Sequence, residues 1–260
     1  MTQLSDQIKI ILLDIEGTTT PVDYVFGVLF PYAKDYVASF LREHFHEQGV
    51  QEDLRKLRQE YKADIAQGKL VLEWKNPVGG NSPSIEGAIA PSRNWEASAA
   101  VPYIHYLISI DRKSTPLKSL QGKIWEEGYR TGKLRSQIFS DVPPAFDRWK
   151  KAGKQIYIFS SGSVQAQKNL FRYTESGDLT GYLSGYFDTE VGAKREPESY
   201  QKITRVVGVP PSSILFISDV EAELQTAQSS GLQTLFSSRP GNISADSDHF
   251  PVIQNFNQVF

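Results

Sequence analysis

The chain has 260 residues, 40% hydrophobic and 22% charged, the composition of a soluble globular protein of one or two domains. Lys plus Arg is 28 against 30 for Asp plus Glu, a formal charge of −2, so no nucleic-acid partner is indicated. The absence of cysteine excludes disulfides, thiolate nucleophiles and cysteine–metal sites and fits a cytoplasmic protein. No stretch approaches the roughly 20 apolar residues of a membrane helix, and the amino terminus has no basic start or small-residue cleavage site.

Ile8 to Leu13 (IKIILL) is short, β-branched and nearly all apolar, which predicts a buried central strand. The polar DIEGTTTP stretch after it is a loop. Tyr36, Val37, Phe40, Leu41 and Phe45 fall at helical spacing, as do Leu54, Leu57, Tyr61 and Ile65. Asn76 to Arg93, rich in Pro and Gly, is a connector, and helices follow over Trp95–Ile108 and Leu117–Glu127. Residues 23–137 are thus expected to form a helical module, inserted into a core made of 1–22 and 138–260. In that core the spacing predicts helices over Ala145–Lys151, Val164–Phe171, Glu198–Val207 and Glu221–Ser229. Strands are predicted at Lys154–Phe159, Ser213–Ile217 and Leu232–Phe236. Strands alternating with helices predict an α/β fold with a parallel sheet.

In an open parallel sheet, ligands bind beyond the carboxyl ends of the strands. Here those ends carry Asp14 and Glu16, Ser160 and Ser161, and Ser218 and Asp219, with Lys194 in a polar segment between the last two strands. Two carboxylates from separate strands can hold a hard, oxygen-liganded cation such as magnesium. An aspartate can attack phosphorus to form an aspartyl-phosphate. A serine hydroxyl, a lysine and backbone N–H groups near Gly17 and Gly162 can cradle a phosphoryl group. Were Asp14 and Glu16 both in a strand, they would share a face. A plainer reading stands beside this one. A strand-end Asp often only makes a turn, Ser160 and Ser163 can simply cap the next helix, and a lysine is usually solvated.

The motifs as they stand carry a resemblance. Asp14-Ile-Glu-Gly-Thr-Thr-Thr-Pro21 resembles the first motif of haloacid-dehalogenase-type phosphatases, with Glu16 where most have a second aspartate. That exchange resembles the enolase-phosphatase (acireductone synthase) branch of methionine salvage. Ile158–Val164, Gly192-Ala193-Lys194 with Glu198-Ser199-Tyr200, Ile214–Val220 with Glu221, Glu223 and Leu224, and Arg239-Pro-Gly-Asn242 resemble its later motifs. Leu120–Trp125 with Gly128-Tyr129 resembles family sequence within the insertion.

The resemblance implies a haloacid-dehalogenase-like Rossmannoid core with an inserted helical cap. It implies one Mg2+ per chain, with Asp14, Glu16 (through its backbone carbonyl) and Asp219 as ligands. Asp14 would be the nucleophile, Glu16 the acid/base, Ser160 and Ser161 substrate-binding residues, and Lys194 the residue that holds phosphate and neutralises Asp14. The implied substrate is the small diketone 2,3-diketo-5-methylthiopentyl-1-phosphate, first enolised and then dephosphorylated by a monomer. Glutamate reaches one methylene further than aspartate, so Glu16 is a candidate base for the enolisation too; a magnesium-polarised carbonyl near Lys194 is the competing account.

Trp95, Tyr103, Lys123 and Tyr129 are candidate cap-pocket residues, with core packing or surface exposure as the plainer reading. Gly128–Leu134 is no nucleotide loop, since its glycines are too close and Leu134 stands where Ser or Thr is needed. His44 and His46 are two apart and predict no zinc site.

Overall fold

The structure is a computed structural model that describes residues 6–69, 74, 94–242 and 247–259. The expected connector at 76–93 and the side chain of Trp95 lie outside the described residues. The chain divides into two compact units, one of Met1–Val28 with Tyr129–Phe260 and the other of Leu29–Gly128.

The first unit is built on a six-stranded sheet of β1 (Ile10–Leu13), β2 (Gln155–Phe159), β3 (Leu183–Phe187), β4 (Ile214–Ser218), β5 (Gln233–Ser237) and β6 (Val252–Ile253). The order is β3-β2-β1-β4-β5-β6 and every pair is parallel. Its flanking helices are α6 (Val142–Lys151), α7 (Val164–Arg172), α8 (Pro197–Val207) and α9 (Glu221–Ser229). β1 has neighbours on both sides, with Leu13 opposite Ile158 and Ile217. All four of its residues are buried, which is why its sequence is continuously apolar rather than alternating. Ile10 and Leu12 pack on one face with Phe159, Tyr200, Ile203 and Phe216. Ile11 and Leu13 point to the other face by the period-2 rule.

Two strands escape the sequence reading. β3 is half-exposed and contains Ser184 and Gly185, so it lacks an apolar run. β6 has only two residues. The other predicted elements are present, with ends shifted by at most three residues.

The second unit is helical. Its main helices are α2 (Phe30–His44), α3 (Gln48–Ala66), α4 (Asn94–Ser109) and α5 (Thr115–Arg130), the last running two residues into the first unit. A short helix α1 (Val22–Tyr24) and a π-helical turn over Val25–Leu29 lead into it. Tyr103 is fully buried and donates to Asp64 at 2.9 Å, and Lys123 pairs with Asp53 at 2.5 Å. Tyr129, in the first unit, is buried with its hydroxyl 2.8 Å from that of Tyr24. Tyr103 is thus packed in the core as its plainer reading has it, whereas Lys123, read as a simple surface residue, is tied to a buried carboxylate. Among the described residues no helix is long and apolar enough to cross a membrane.

Candidate active site

The site forms where β1 and β4 end side by side. Asp14 follows β1 directly, and its backbone N–H donates to Ile217 O at 3.0 Å. Beyond it the chain turns at once: Ile15 O accepts from the N–H groups of Thr18, Thr19 and Thr20 at 3.0–3.2 Å. The strand therefore stops at Leu13, and the alternation argument for Asp14 and Glu16 does not apply.

Asp14 is 3% exposed and fully engaged. Its Oδ1 accepts from Ile15 N–H at 2.7 Å and from Lys194 Nζ. Lys194 also lies 3.2 Å from Glu223 Oε2. Its side chain is only 10% exposed, so the solvated-lysine reading fails. Burial opposes its charge, but Asp14, Glu223 and Glu16 outweigh that and raise its pKa. Its backbone is held as well, because the Tyr200 hydroxyl donates to Lys194 O at 2.7 Å.

Ser218 completes the group. Its hydroxyl lies 3.1 Å from Asp14 Oδ2 and 3.1 Å from Glu223 Oε2. One hydroxyl has one proton, so it serves both carboxylates at once only if one of them is protonated. Burial pushes the Glu223 carboxyl up to about 7, with Lys194 opposing and the Asp14 charge adding to the rise. Burial likewise pushes Asp219 up to about 7, helped by the charge of Asp14. Four carboxylates (Asp14, Glu16, Asp219 and Glu223) thus act electrostatically on one lysine. An all-oxygen donor set with excess negative charge fits a small hard cation. Gly17 keeps room beside it: with φ +65°, a Cβ there would come 2.2 Å from Asp219 Oδ2.

Ser160 and Ser161 follow β2, one strand over from β1. Ser160 is 1% exposed and its Oγ accepts from Gly162 N–H at 3.2 Å, while Ser163 is the residue that caps α7, accepting from Ala166 N–H at 3.3 Å. The structure thus bonds Asp14 to Lys194 and brings Glu16 and Asp219 within electrostatic reach, with Ser160 and Ser161 at the adjacent strand end. A cavity of about 490 Å³ beside β3, lined by Tyr186, Asp188, Lys202 and Arg205, contains none of them.

Sequence reasoning assigns no role to Glu223 or Ser218, although both stand in the acidic motif. It also misses a clamp on the loop after Asp14. Arg239 is 5% exposed and lies between the Phe139 and Phe256 rings, 4.6 Å from each. It pairs with Asp141 at 2.9 Å and donates through Nε to Thr18 O at 3.1 Å. Gly17 O accepts from Ser237 Oγ at 3.1 Å and from Asn242 Nδ2 at 3.0 Å. The only signal for these residues is the Arg-Pro-Gly-Asn run itself.

Residues 8–231 match the family model of haloacid dehalogenase-like hydrolases. The chain is 51% identical over 252 residues to enolase-phosphatase E1 of Synechococcus elongatus, covering 97% of this chain and 98% of that one. It is 42% identical to enolase-phosphatase E1 of Drosophila persimilis, covering 92% and 88%. Among solved structures it resembles the UTR4 protein of Saccharomyces cerevisiae, with a TM-score of 0.69 and 31% identity over 95% of this chain and 98% of that one. A carboxylate–lysine centre at the ends of a parallel sheet and these likenesses agree: the chain belongs to the haloacid dehalogenase-like hydrolases and, within them, to the enolase-phosphatases.

Proposed function

We propose that this chain is an acireductone synthase of L-methionine salvage. It enolises 2,3-diketo-5-methylthiopentyl-1-phosphate and dephosphorylates it to 1,2-dihydroxy-3-keto-5-methylthiopentene and phosphate. The observation that carries the proposal is the Asp14 carboxylate, fixed at the end of the central strand by Lys194, Ser218 and its own next N–H, with a longer acid, Glu16, two residues on.

Asp14 is the nucleophile. Its carboxylate forms a bond to phosphorus as the bond from phosphorus to the C1 oxygen breaks, and the departing oxygen takes a proton from Glu16. Water then attacks the phosphorus of the aspartyl-phosphate and gives a proton to Glu16. Phosphate leaves and the Asp14 carboxylate is restored. Lys194, kept cationic by its three acid neighbours, holds phosphoryl oxygens and is no base at neutral pH. Ser160 and Ser161 bind the same substrate. The side chains of Asp14 and Asp219 and the backbone carbonyl of Glu16 would hold one Mg2+, which offsets the repulsion between an anionic nucleophile and an anionic phosphate.

The product is an ene-diol at C1 and C2, so the enolisation removes a proton from C1. Glu16 is assigned as that base because of its extra methylene. If Glu16→Gln enolised the diketone and hydrolysed a preformed enol phosphate both at the parent rate, this assignment would be wrong. The whole reading is tested by a steady-state assay with the diketo phosphate and Mg2+. Ene-diol and phosphate form with the parent and not with Asp14→Asn. Turnover of a sugar phosphate with none of the diketone would overturn it.

A further inference from the structure

The far end of the site holds an unexplained acceptor. Asn242 Nδ2 donates to Gly17 O and to Ser237 O, both at 3.0 Å. Two carbonyl acceptors consume both amide protons and fix which way the carboxamide faces. Asn242 Oδ1 is therefore turned away from them. That oxygen is buried and has no hydrogen-bond partner among the described residues. A buried acceptor left unpaired costs about 1–3 kcal/mol, so its retention calls for an explanation.

Its surroundings supply one. The place a Gly17 side chain would occupy lies 2.2 Å from Asp219 Oδ2 and 2.8 Å from Asn242 Oδ1. Two acceptors thus converge on one point that only glycine leaves open. A carboxylate oxygen and a carboxamide oxygen cannot bond each other, so with Asp219 ionised, as a cation ligand is, a donor must come between or beside them. Magnesium retains several of its waters when bound by few carboxylates, and those waters are donors.

We propose that Asn242 is a positioning residue for the reaction. Its Nδ2 pins the Gly17 peptide, and its Oδ1 accepts from a water of the hydrated cation held by Asp219. This rests on the reading that Asp219 is a cation ligand. Asn242 thereby acts on the metal in two ways, by fixing the backbone next to Glu16 and by ordering a water. Outer partners of metal sites typically change affinity by about 10–100-fold.

The test is Mn2+ binding to the substrate-free protein, followed by the electron paramagnetic resonance of free Mn2+, with circular dichroism to confirm folding. Asn242→Ala weakens binding by about 10-fold or more. Ser237→Ala removes the other side-chain bond to Gly17 O but leaves Oδ1 in place, and weakens binding by less than about 3-fold, a smaller loss than the outer-partner range. Asn242→Asp keeps an oxygen at the position but loses the Nδ2 bonds to Gly17 O and Ser237 O, so it binds less weakly than Asn242→Ala, with a loss under about 3-fold. Equal losses in Asn242→Ala and Ser237→Ala, or parent-like binding by Asn242→Ala, would overturn the proposal. Should Asn242→Ala not fold, a loss of about 10-fold or more in Asn242→Asp, which keeps the acceptor, overturns it alone. Asp219→Asn separates the two readings: if it binds Mn2+ like the parent, the cation assignment itself falls. If it loses Mn2+ while Asn242→Ala does not, only the role of Asn242 falls.

Discussion

Each unit buries a carboxylate, and the two are treated oppositely. In the helical unit Asp64 is 2% exposed and meets Lys69 at 2.8 Å, the Tyr103 hydroxyl at 2.9 Å and Arg112 at 3.3 Å. Burial raises its pKa, but hydrogen bonds from Lys69 and Tyr103 and the charge of Arg112 outweigh this and lower it. Donors exceed acceptors there. In the α/β unit the balance is reversed: Asp14, Glu223 and Glu16 act on Lys194, and Asp219 feels its charge as well. An over-satisfied buried acid is a structural tie; an under-satisfied group of them is poised for a cation that is not part of the chain.

Lys194→Ala should break the comparison most severely. It leaves Asp14 and Glu223 buried without their cation, a loss on the order of 3–5 kcal/mol. The sign with pH follows from the raised carboxyls. Between the unfolded value near 4 and the folded value of about 7, the folded state binds more protons, so stability falls as pH rises through that window. Thermal melts of metal-free Lys194→Ala should show a deficit that grows from pH 5 to pH 8 and shrinks on adding Mg2+. Gly17→Ala comes next. A left-handed φ costs a non-glycine residue about 1–2 kcal/mol, and the new methyl displaces the Asp219 carboxylate. The expected result is weaker Mn2+ binding together with a lower melting temperature.

Asp64→Asn should cost about 1–3 kcal/mol, or roughly 2–6 °C in melting temperature, and leave kcat unchanged. A fall in kcat at constant stability would contradict its purely structural role. The smallest effect is expected at His44, whose ring lies 2.6 Å from Glu47 and 2.7 Å from Glu127. Burial lowers its pKa, but bonds to Glu47 and Glu127 outweigh this and raise it. The tie is fully present below the ordinary histidine value and is lost as pH rises through the folded one. His44→Gln should therefore destabilise by up to about 1 kcal/mol at pH 6 and by less at pH 9, measured by denaturant melts.

Much of this was legible in the sequence where local pattern and local chemistry coincide. β1, β2 and β4 are apolar runs, and their polar ends are where a parallel sheet puts its ligands. Lys194 was legible only through its motif, because lysine is ordinarily exposed and nothing in its neighbours announces burial. β3 was hidden by being half-exposed, since it buries too little to need a pattern. The Arg239 and Asn242 clamps join residues more than 200 positions apart, as in Arg239 to Thr18 and Asn242 to Gly17, and no window of sequence spans that distance.

The central place of β1 also shapes how the chain must be made. Among the described residues it precedes every other strand, and the strands it pairs with begin at Gln155 and Ile214. At typical synthesis rates an apolar strand with two bare edges waits on the order of ten seconds before either neighbour exists. Helices with local contacts form within that delay, whereas the sheet carrying Asp14 cannot begin to close. The strand that ends at Asp14 is thus also a segment of the newborn chain in need of protection from aggregation.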